Sequence, residues 1–372
     1  MAKFRIIFFL FFTIMASTSC KQEEVDQQVS LPSNLQVSVV KIGKGGVKID
    51  VQAADANFYK VIFGLPNQDL ERMVGTSVVY YYSKEGTYTI KVQAHSTEAD
   101  FISATQNVEI TPSELGIGIP TTGFESPLTY AGYDLVWNDE FEGTSLSDNW
   151  VYEIGDGCPD ICGWGNNELE YYRKENTEVK DGYLVIKAKQ ESFANKNYTS
   201  SRIKTQGKKS FTFGRIDVRA ALPKGQGIWP AIWMLGDNIT TVNWPACGEI
   251  DIMELIGGNA DGRDNTIHGT VHWDNNGSNA NYGGSKQKVS GIFNGEFHVF
   301  SIIWDENKIV WLLDNVPYHE IDIRPVGLDE FRKPFFLLLN VAVGGNWPGN
   351  PDGTAVFPQQ MAVDYVRVFQ VK

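Results

Sequence analysis

Apolar and polar residues alternate with a period of two through much of the second part of the chain. In Gly214–Ala220, Ile216, Val218 and Ala220 alternate with Arg215, Asp217 and Arg219. That spacing puts the two sets on opposite faces of a strand and excludes a helix there. Similar runs occur at Leu184–Ala188, Phe297–Trp304 and Ile309–Leu313, with Asp305–Lys308 reading as a hairpin loop. Phe335–Val343 is almost continuously apolar, as a strand buried on both faces would be. No segment sustains a period of 3.6, so residues 129–372 are expected to form an antiparallel all-β sandwich of two stacked sheets. A second set of short alternating runs, including Val47–Val51 and Thr87–Val92, lies between residues 31 and 111. Gly, Asn and Asp turn signals separate them, which predicts a smaller β-sandwich. Residues 112–128 are rich in Pro, Gly and Thr, lack periodicity, and read as a linker.

The N-terminus departs from this pattern. Lys3 and Arg5 precede an apolar run from Ile6 to Met15, and small polar residues follow up to Cys20. The run is too short to span a bilayer and is expected to be an export signal. It resembles a bacterial lipoprotein signal over residues 1–19, which implies acylation of Cys20 as the first mature residue; a plain signal peptide cut near Ser19 is the alternative. Residues 20–30 form a polar tether that resembles the acidic tags of surface-exposed lipoproteins, so an outer-membrane surface location is expected. The segment from Tyr80 to Val92 resembles the hairpin of immunoglobulin-like PKD modules, in which its tyrosines serve packing.

Charge then narrows the partners. The 372 residues include 32 basic and 45 acidic side chains. Removing residues 1–19 takes away Lys3 and Arg5, leaving 30 minus 45, or −15. A negative surface repels phosphate backbones and anionic lipid, which excludes nucleic acid and favours a neutral substrate. Membrane attachment is expected through the lipid anchor alone, and the protein is expected to be a monomer. Of the remaining cysteines, Cys158 and Cys162 are spaced to close a small disulfide loop, while Cys247 would be a buried, inert thiol.

The chemistry concentrates in Gly248–Leu255, where Glu249, Asp251 and Glu254 fall within six residues. In a regular strand Glu249 and Asp251 share a face and Glu254 points the other way. A β-bulge at Ile252 and Met253 supplies the extra residue that brings it back, and bulges recur beside active sites. Adjacent like charges raise at least one pKa. That suits glycoside hydrolysis, in which one carboxylate attacks the anomeric carbon and a protonated one serves the leaving oxygen; in retaining enzymes they stand about 5 to 5.5 Å apart. A solvated acidic strand face is the plainer reading of three acids, and the apolar Ile250, Ile252 and Leu255 argue against it.

The run Gly-Glu-Ile-Asp-Ile-Met-Glu resembles the signature of glycoside hydrolase family 16, in the bulged form of its laminarinase-like members. Trp137–Phe141, Gly163–Tyr171, Thr212–Arg215, Gly227–Leu235, His268–Trp273 and Val363–Val368 extend the likeness over nearly all of Tyr130–Lys372. The resemblance implies a β-jelly-roll with an open cleft, Glu249 as nucleophile, Glu254 as general acid then base, and Asp251 as the carboxyl that tunes Glu249. It also implies substrate contacts from Trp229, Trp233, Arg202 and His272, and from Asn167, Glu170 and Tyr171 on a loop at one end. Flat sugar faces stack on indole rings, although core packing of the tryptophans and a structural role for His272 are the alternatives. Trp347, on a turn-rich loop, is expected to wall the cleft. No cofactor is implied for catalysis. A structural Ca²⁺ held by Glu140 or Glu142, the Gly182 carbonyl and Asp364 is implied away from the cleft. The inserted Met253 favours endo-cleavage of β-1,3-glucan. Mixed-linkage glucan, galactan, or a non-catalytic glycan-binding lipoprotein are the alternatives.

Overall fold

The computed structural model describes Ser30–Lys372 except Lys44, Ser83, Ser113, Gly116 and Ile117. The export segment and Cys20 lie outside the described residues. The chain divides into two compact units. One holds the described residues up to Ser38 with Asp50–Val78 and Ile90–Gln106; the other holds Val39–Ile49, Val79–Thr89 and Asn107–Lys372. Over residues 33–110 there are two small sheets, one of Ser33–Gly43, Gly46–Ala54 and Ser77–Tyr81, the other ordered Glu71–Arg72, Phe58–Ile62, Gly86–His95, Phe101–Ile110. Alternation is visible in both: Val47, Ile49 and Val51 are buried in the first, Ile90, Val92 and Ala94 in the second.

The larger unit is built on two further sheets. The outer sheet runs Thr177–Lys180, Tyr183–Ala188, Gln359–Val371, Gly214–Ala221, His298–Trp304, Lys308–Leu313, Val316–Asp322, with Tyr133–Asp139 also on Gln359–Val371. The cleft sheet runs Asn279–Gln287, Thr266–Asp274, Glu249–Glu254, Ile228–Gly236, Phe335–Val343, Arg202–Lys204, Val151–Glu153. A single apolar core draws on both, with Ile216 and Val218 from one and Ile232, Ile250 and Leu339 from the other. Every residue of Phe335–Val343 is buried, as its apolar run predicts.

Gly214–Ala221 adds something alternation alone does not show, because its polar face is also covered. Residues 122–128, expected to be linker, pack there together with Tyr130 just beyond them. Gly123 lies so close to Phe297 that a Cβ would stand 2.1 Å from its carbonyl oxygen. Tyr130 donates to Asp217 at 2.7 Å and lies under the Arg215 guanidinium. Arg219 donates to the Phe124 carbonyl at 2.7 Å. No helix among the described residues is long and apolar enough to cross a membrane.

Candidate active site

The strands of the cleft sheet divide their residues by parity. On Ile228–Gly236, Ile228, Ile232 and Met234 enter the core, while Trp229, Ala231, Trp233 and Leu235 line a cleft. Phe336, Leu338, Asn340 and Ala342 line it from the next strand, and Thr270 and His272 from Thr266–Asp274. The cleft has a volume of ≈ 660 Å³.

The bulge falls where the acid spacing requires it. Glu249 and Asp251 pair with His272 and Thr270, after which the register shifts so that Glu254 faces His268. On the other side Asp251 pairs with Trp233 and Met253 with Ile232, leaving Ile252 as the extra residue. Ile252 and Met253 both enter the core. Glu249, Asp251 and Glu254 all line the cleft.

Each outer carboxylate of this triad receives one indole. The Trp244 Nε1–H donates to Glu249 and the Trp229 Nε1–H to Glu254, both at 3.0 Å. The His272 Nε2 stands 3.7 Å from Glu249 and 3.6 Å from Asp251. Burial pushes the Glu249 carboxyl above its ordinary range, opposed by His272 and the Trp244 N–H. Asp251 is pushed well up by burial and by the charges of Glu254 and Glu249, and it shares a hydrogen bond with Glu249. Burial and the Glu249 charge push Glu254 up to about 8 despite the Trp229 N–H. At neutral pH the triad therefore keeps protons on Asp251 and Glu254 and its charge on Glu249, the best supported of the three. One ionised and one protonated carboxyl on a single face are what a nucleophile and a general acid require.

Arg202 lies between Trp164 and Trp233, its guanidinium 4.6 and 4.7 Å from the ring centres, and it pairs with Glu153. Trp347, 41% exposed, meets Trp229 edge-on at 5.7 Å. Trp229 and Trp233 are half-buried and line the cleft, and Trp233 also packs on the apolar cluster of Leu235, Cys247, Phe336 and Leu338.

The predicted loop residues end elsewhere. Glu170 is fully buried and accepts the Val343 N–H at 2.7 Å. Tyr171 packs edge-on against Phe193, and Asn167 donates to Asn346 at 2.8 Å. Asn166 and Glu168 line the cleft instead. Trp164, between Gly163 and Gly165, and Asn167 carry left-handed φ values of 53° and 58°, which breaks any parity readable from the sequence. Trp164, Trp244 and Asn340 are further cleft residues that no pattern in the sequence marks. Trp244 had no periodic signal, since it sits on the loop beyond a short helical turn at Ile239–Val242.

The Cys158–Cys162 disulfide is formed, with Cα atoms 4.2 Å apart, and Cys247 is free and buried. Burial pushes its thiol up to about 11, which makes it inert. The expected calcium ligands do not fit a cation. Both Glu140 oxygens accept from Arg367, at 2.9 and 2.8 Å, and Asp364 accepts from Arg219 at 2.6 Å. With Glu140 and Asp364 neutralised by guanidinium groups, the expected set leaves a divalent ion only the exposed Glu142 and the Gly182 carbonyl.

Comparison with known proteins agrees with this geometry. The model of glycosyl hydrolases family 16 matches residues 166–367, more than half of the chain. A model of the beta-glucan synthesis-associated SKN1/KRE6/Sbg1 proteins matches residues 76–249. The clotting factor G alpha subunit of Tachypleus tridentatus is 40% identical over 64% of this chain and 34% of its own length. The beta-glucanase of Rhodothermus marinus is 41% identical over 64% of this chain and 85% of its own. The catalytic domain of an endo-1,3-beta-glucanase (laminarinase) from Thermotoga petrophila superposes with a TM-score of 0.59 at 46% identity, covering 64% of this chain and 98% of that one. With its bulged carboxyl triad and jelly-roll sheets, the chain belongs to glycosyl hydrolases family 16.

Proposed function

We propose that the protein is an endo-acting, retaining β-1,3-glucanase. The observation that carries this reading is the bulged strand that puts Glu249, Asp251 and Glu254 on one face of an open, tryptophan-lined cleft, with one indole N–H on each glutamate. The laminarinase and beta-glucanase relatives support the substrate class. In the first step a Glu249 oxygen bonds to the anomeric carbon as the glycosidic C–O bond breaks, and the Glu254 proton passes to the leaving oxygen. In the second, Glu254 takes a proton from water as its oxygen replaces Glu249 at that carbon, which returns both carboxyls to their starting states. Asp251 holds a proton against Glu249 throughout and tunes its charge.

Digesting laminarin, lichenan and agarose with the protein, and resolving the products by chromatography, tests the assignment. Internal cleavage of laminarin with retained anomeric configuration is expected. Preferential attack on lichenan or agarose would reassign the linkage. Binding without cleavage would make the protein a glycan-binding lipoprotein. Glu249→Ala and Glu254→Ala should each lower kcat by several orders of magnitude, with azide rescuing the former.

The apolar run Ile6–Met15 and the dipeptide Ser19-Cys20 support an export signal and a lipid anchor at Cys20, and we infer a monomer held at the outer-membrane surface. Membrane fractionation of Cys20→Ser checks it: the variant should be released. The two small sheets over residues 33–110 suit a PKD or immunoglobulin-like module ahead of the catalytic region.

A further inference from the structure

Beside the cleft lies a second pair of acids that the proposed chemistry does not use. Glu168 is 5% exposed and Glu170 is inaccessible. The Glu168 carboxyl accepts from Asn166 Nδ2 and from the Tyr172 hydroxyl, each at 3.0 Å. Glu170 accepts the Val343 N–H on Oε2, while its Oε1 is buried with no partner. The nearby cations are otherwise engaged. Lys196 reaches only the Glu168 carbonyl, at 3.4 Å, and pairs with Asp156; Arg202 pairs with Glu153.

Two adjacent buried carboxylates without a cation cannot both ionise. Burial and the neighbouring Glu168 charge and hydrogen bond push the Glu170 carboxyl well above its ordinary range. A proton on Glu170 Oε1 would satisfy the orphan atom by donation to Glu168, which then carries the single negative charge. Glu168 accepts from Tyr172, so the Tyr172 oxygen is free to accept from Asn340 Nδ2, at 3.2 Å. That leaves the Asn340 Oδ1 to accept from the Trp233 Nε1–H, at 2.8 Å. Every donor in this chain points the same way, from the cleft floor to the charge on Glu168. Such aligned chains strengthen one another.

We propose that Glu168 and Glu170 are a proton-sharing positioning pair, in which the charge on Glu168 orients Tyr172 and Asn340 and thereby holds Trp233 in the cleft floor. Its kinetic consequence rests on the glucanase reading; the positioning itself does not. The same charge also helps to keep the proton on Glu254.

The test uses the full chain with ¹⁵N-labelled tryptophan indoles, the Trp233 signal being assigned by its loss in Trp233→Phe. Glu168→Gln presents an amide that can turn its N–H to Tyr172 and reverse the chain, and Tyr172→Phe cuts it while keeping the ring. Both should move the Trp233 indole signal. Glu170→Gln donates to Glu168 as the protonated acid does and should leave the signal in place. On laminarin, Glu168→Gln should lower kcat/KM about tenfold, chiefly through KM, as loss of a charge-assisted hydrogen bond would. Its alkaline pH limb should also move down. An unmoved Trp233 signal in Glu168→Gln and Tyr172→Phe, or an equal displacement in Glu170→Gln, overturns the proposal. If Glu170→Gln fails to fold, the other two variants decide it. If the wild type does not cleave laminarin, the glucanase reading fails and the indole signals still decide the pair.

Discussion

At the scale of single residues, the site works by giving chemically identical carboxyls different neighbours. Trp244 and Trp229 each donate one N–H to a glutamate, and each bond favours the charged form. Removing either donor must therefore raise the pKa of its partner. Trp244→Phe should shift the acidic limb of the rate profile upward and Trp229→Phe the alkaline limb, each by about half a pH unit for an ordinary hydrogen bond. A profile of kcat/KM against pH for both variants checks this. The same asymmetry bears on stability. Glu254 is pushed up to about 8 in the fold. Between its unfolded value and 8 the folded state binds more protons than the unfolded one, so stability falls as pH rises through that window. Glu254→Gln removes that decline. The inactive variant should melt higher than wild type at pH 7, by about 2–4 °C for each kcal/mol relieved, with the gain vanishing near pH 4. Thermal melts across that range measure it. The three acids were legible as a motif; Trp244 and Glu168 were not, because their roles depend on loops with left-handed residues.

At the scale of elements, the bulge reconciles two periods. The odd spacing of Glu249 and Glu254 predicted it, since strand parity leaves no other way to put both on one face. The structure adds that Ile252 and Met253 both fill the core, so the bulge is anchored by apolar burial. Deleting Met253 restores strict alternation, and Glu254 keeps its pairing with Ala231 and His268. Deleting Ile250 instead turns Glu249 into the core as a buried, unpaired charge. The Met253 deletion should fold, at a loss of about 2–5 kcal/mol for the missing side chain. The Ile250 deletion should not accumulate as folded protein. Near-ultraviolet circular dichroism and thermal melts of the two purified proteins compare them directly. Loop residues resist this kind of reasoning: Trp229 and Trp233 share a face of one long strand, whereas Asn167, Glu170 and Tyr171 were placed by the family resemblance alone, and Glu170 and Tyr171 fall on a separate short strand, Glu170–Tyr172, off the cleft.

At the scale of the whole molecule, the edge of the catalytic region lies earlier than composition suggests. Residues 112–128 have no periodicity, yet Thr122 and Phe124 exchange backbone hydrogen bonds with Phe297, both at 2.9 Å. Ser126 joins the Tyr365 hydroxyl at 2.8 Å, and its carbonyl accepts from Arg367. Ile119 packs on the cluster of Ala221, Phe297 and Ala362. A segment of this kind carries no alternation because it crosses a sheet face as a single extended strap. Its burial is visible only once the sheet beneath it exists. A fragment of residues 118–372 keeps these contacts; one of residues 129–372 exposes Phe297 and leaves Arg219 without the Phe124 carbonyl. The shorter fragment should therefore melt several degrees lower, since it loses apolar burial and backbone hydrogen bonds together. The cleft sheet is untouched by the cut, so both fragments should retain kcat on laminarin at 25 °C. Equal melting temperatures would show that residues 118–128 are a spacer after all, and a selective loss of kcat in the shorter one would mean that the strap supports the cleft.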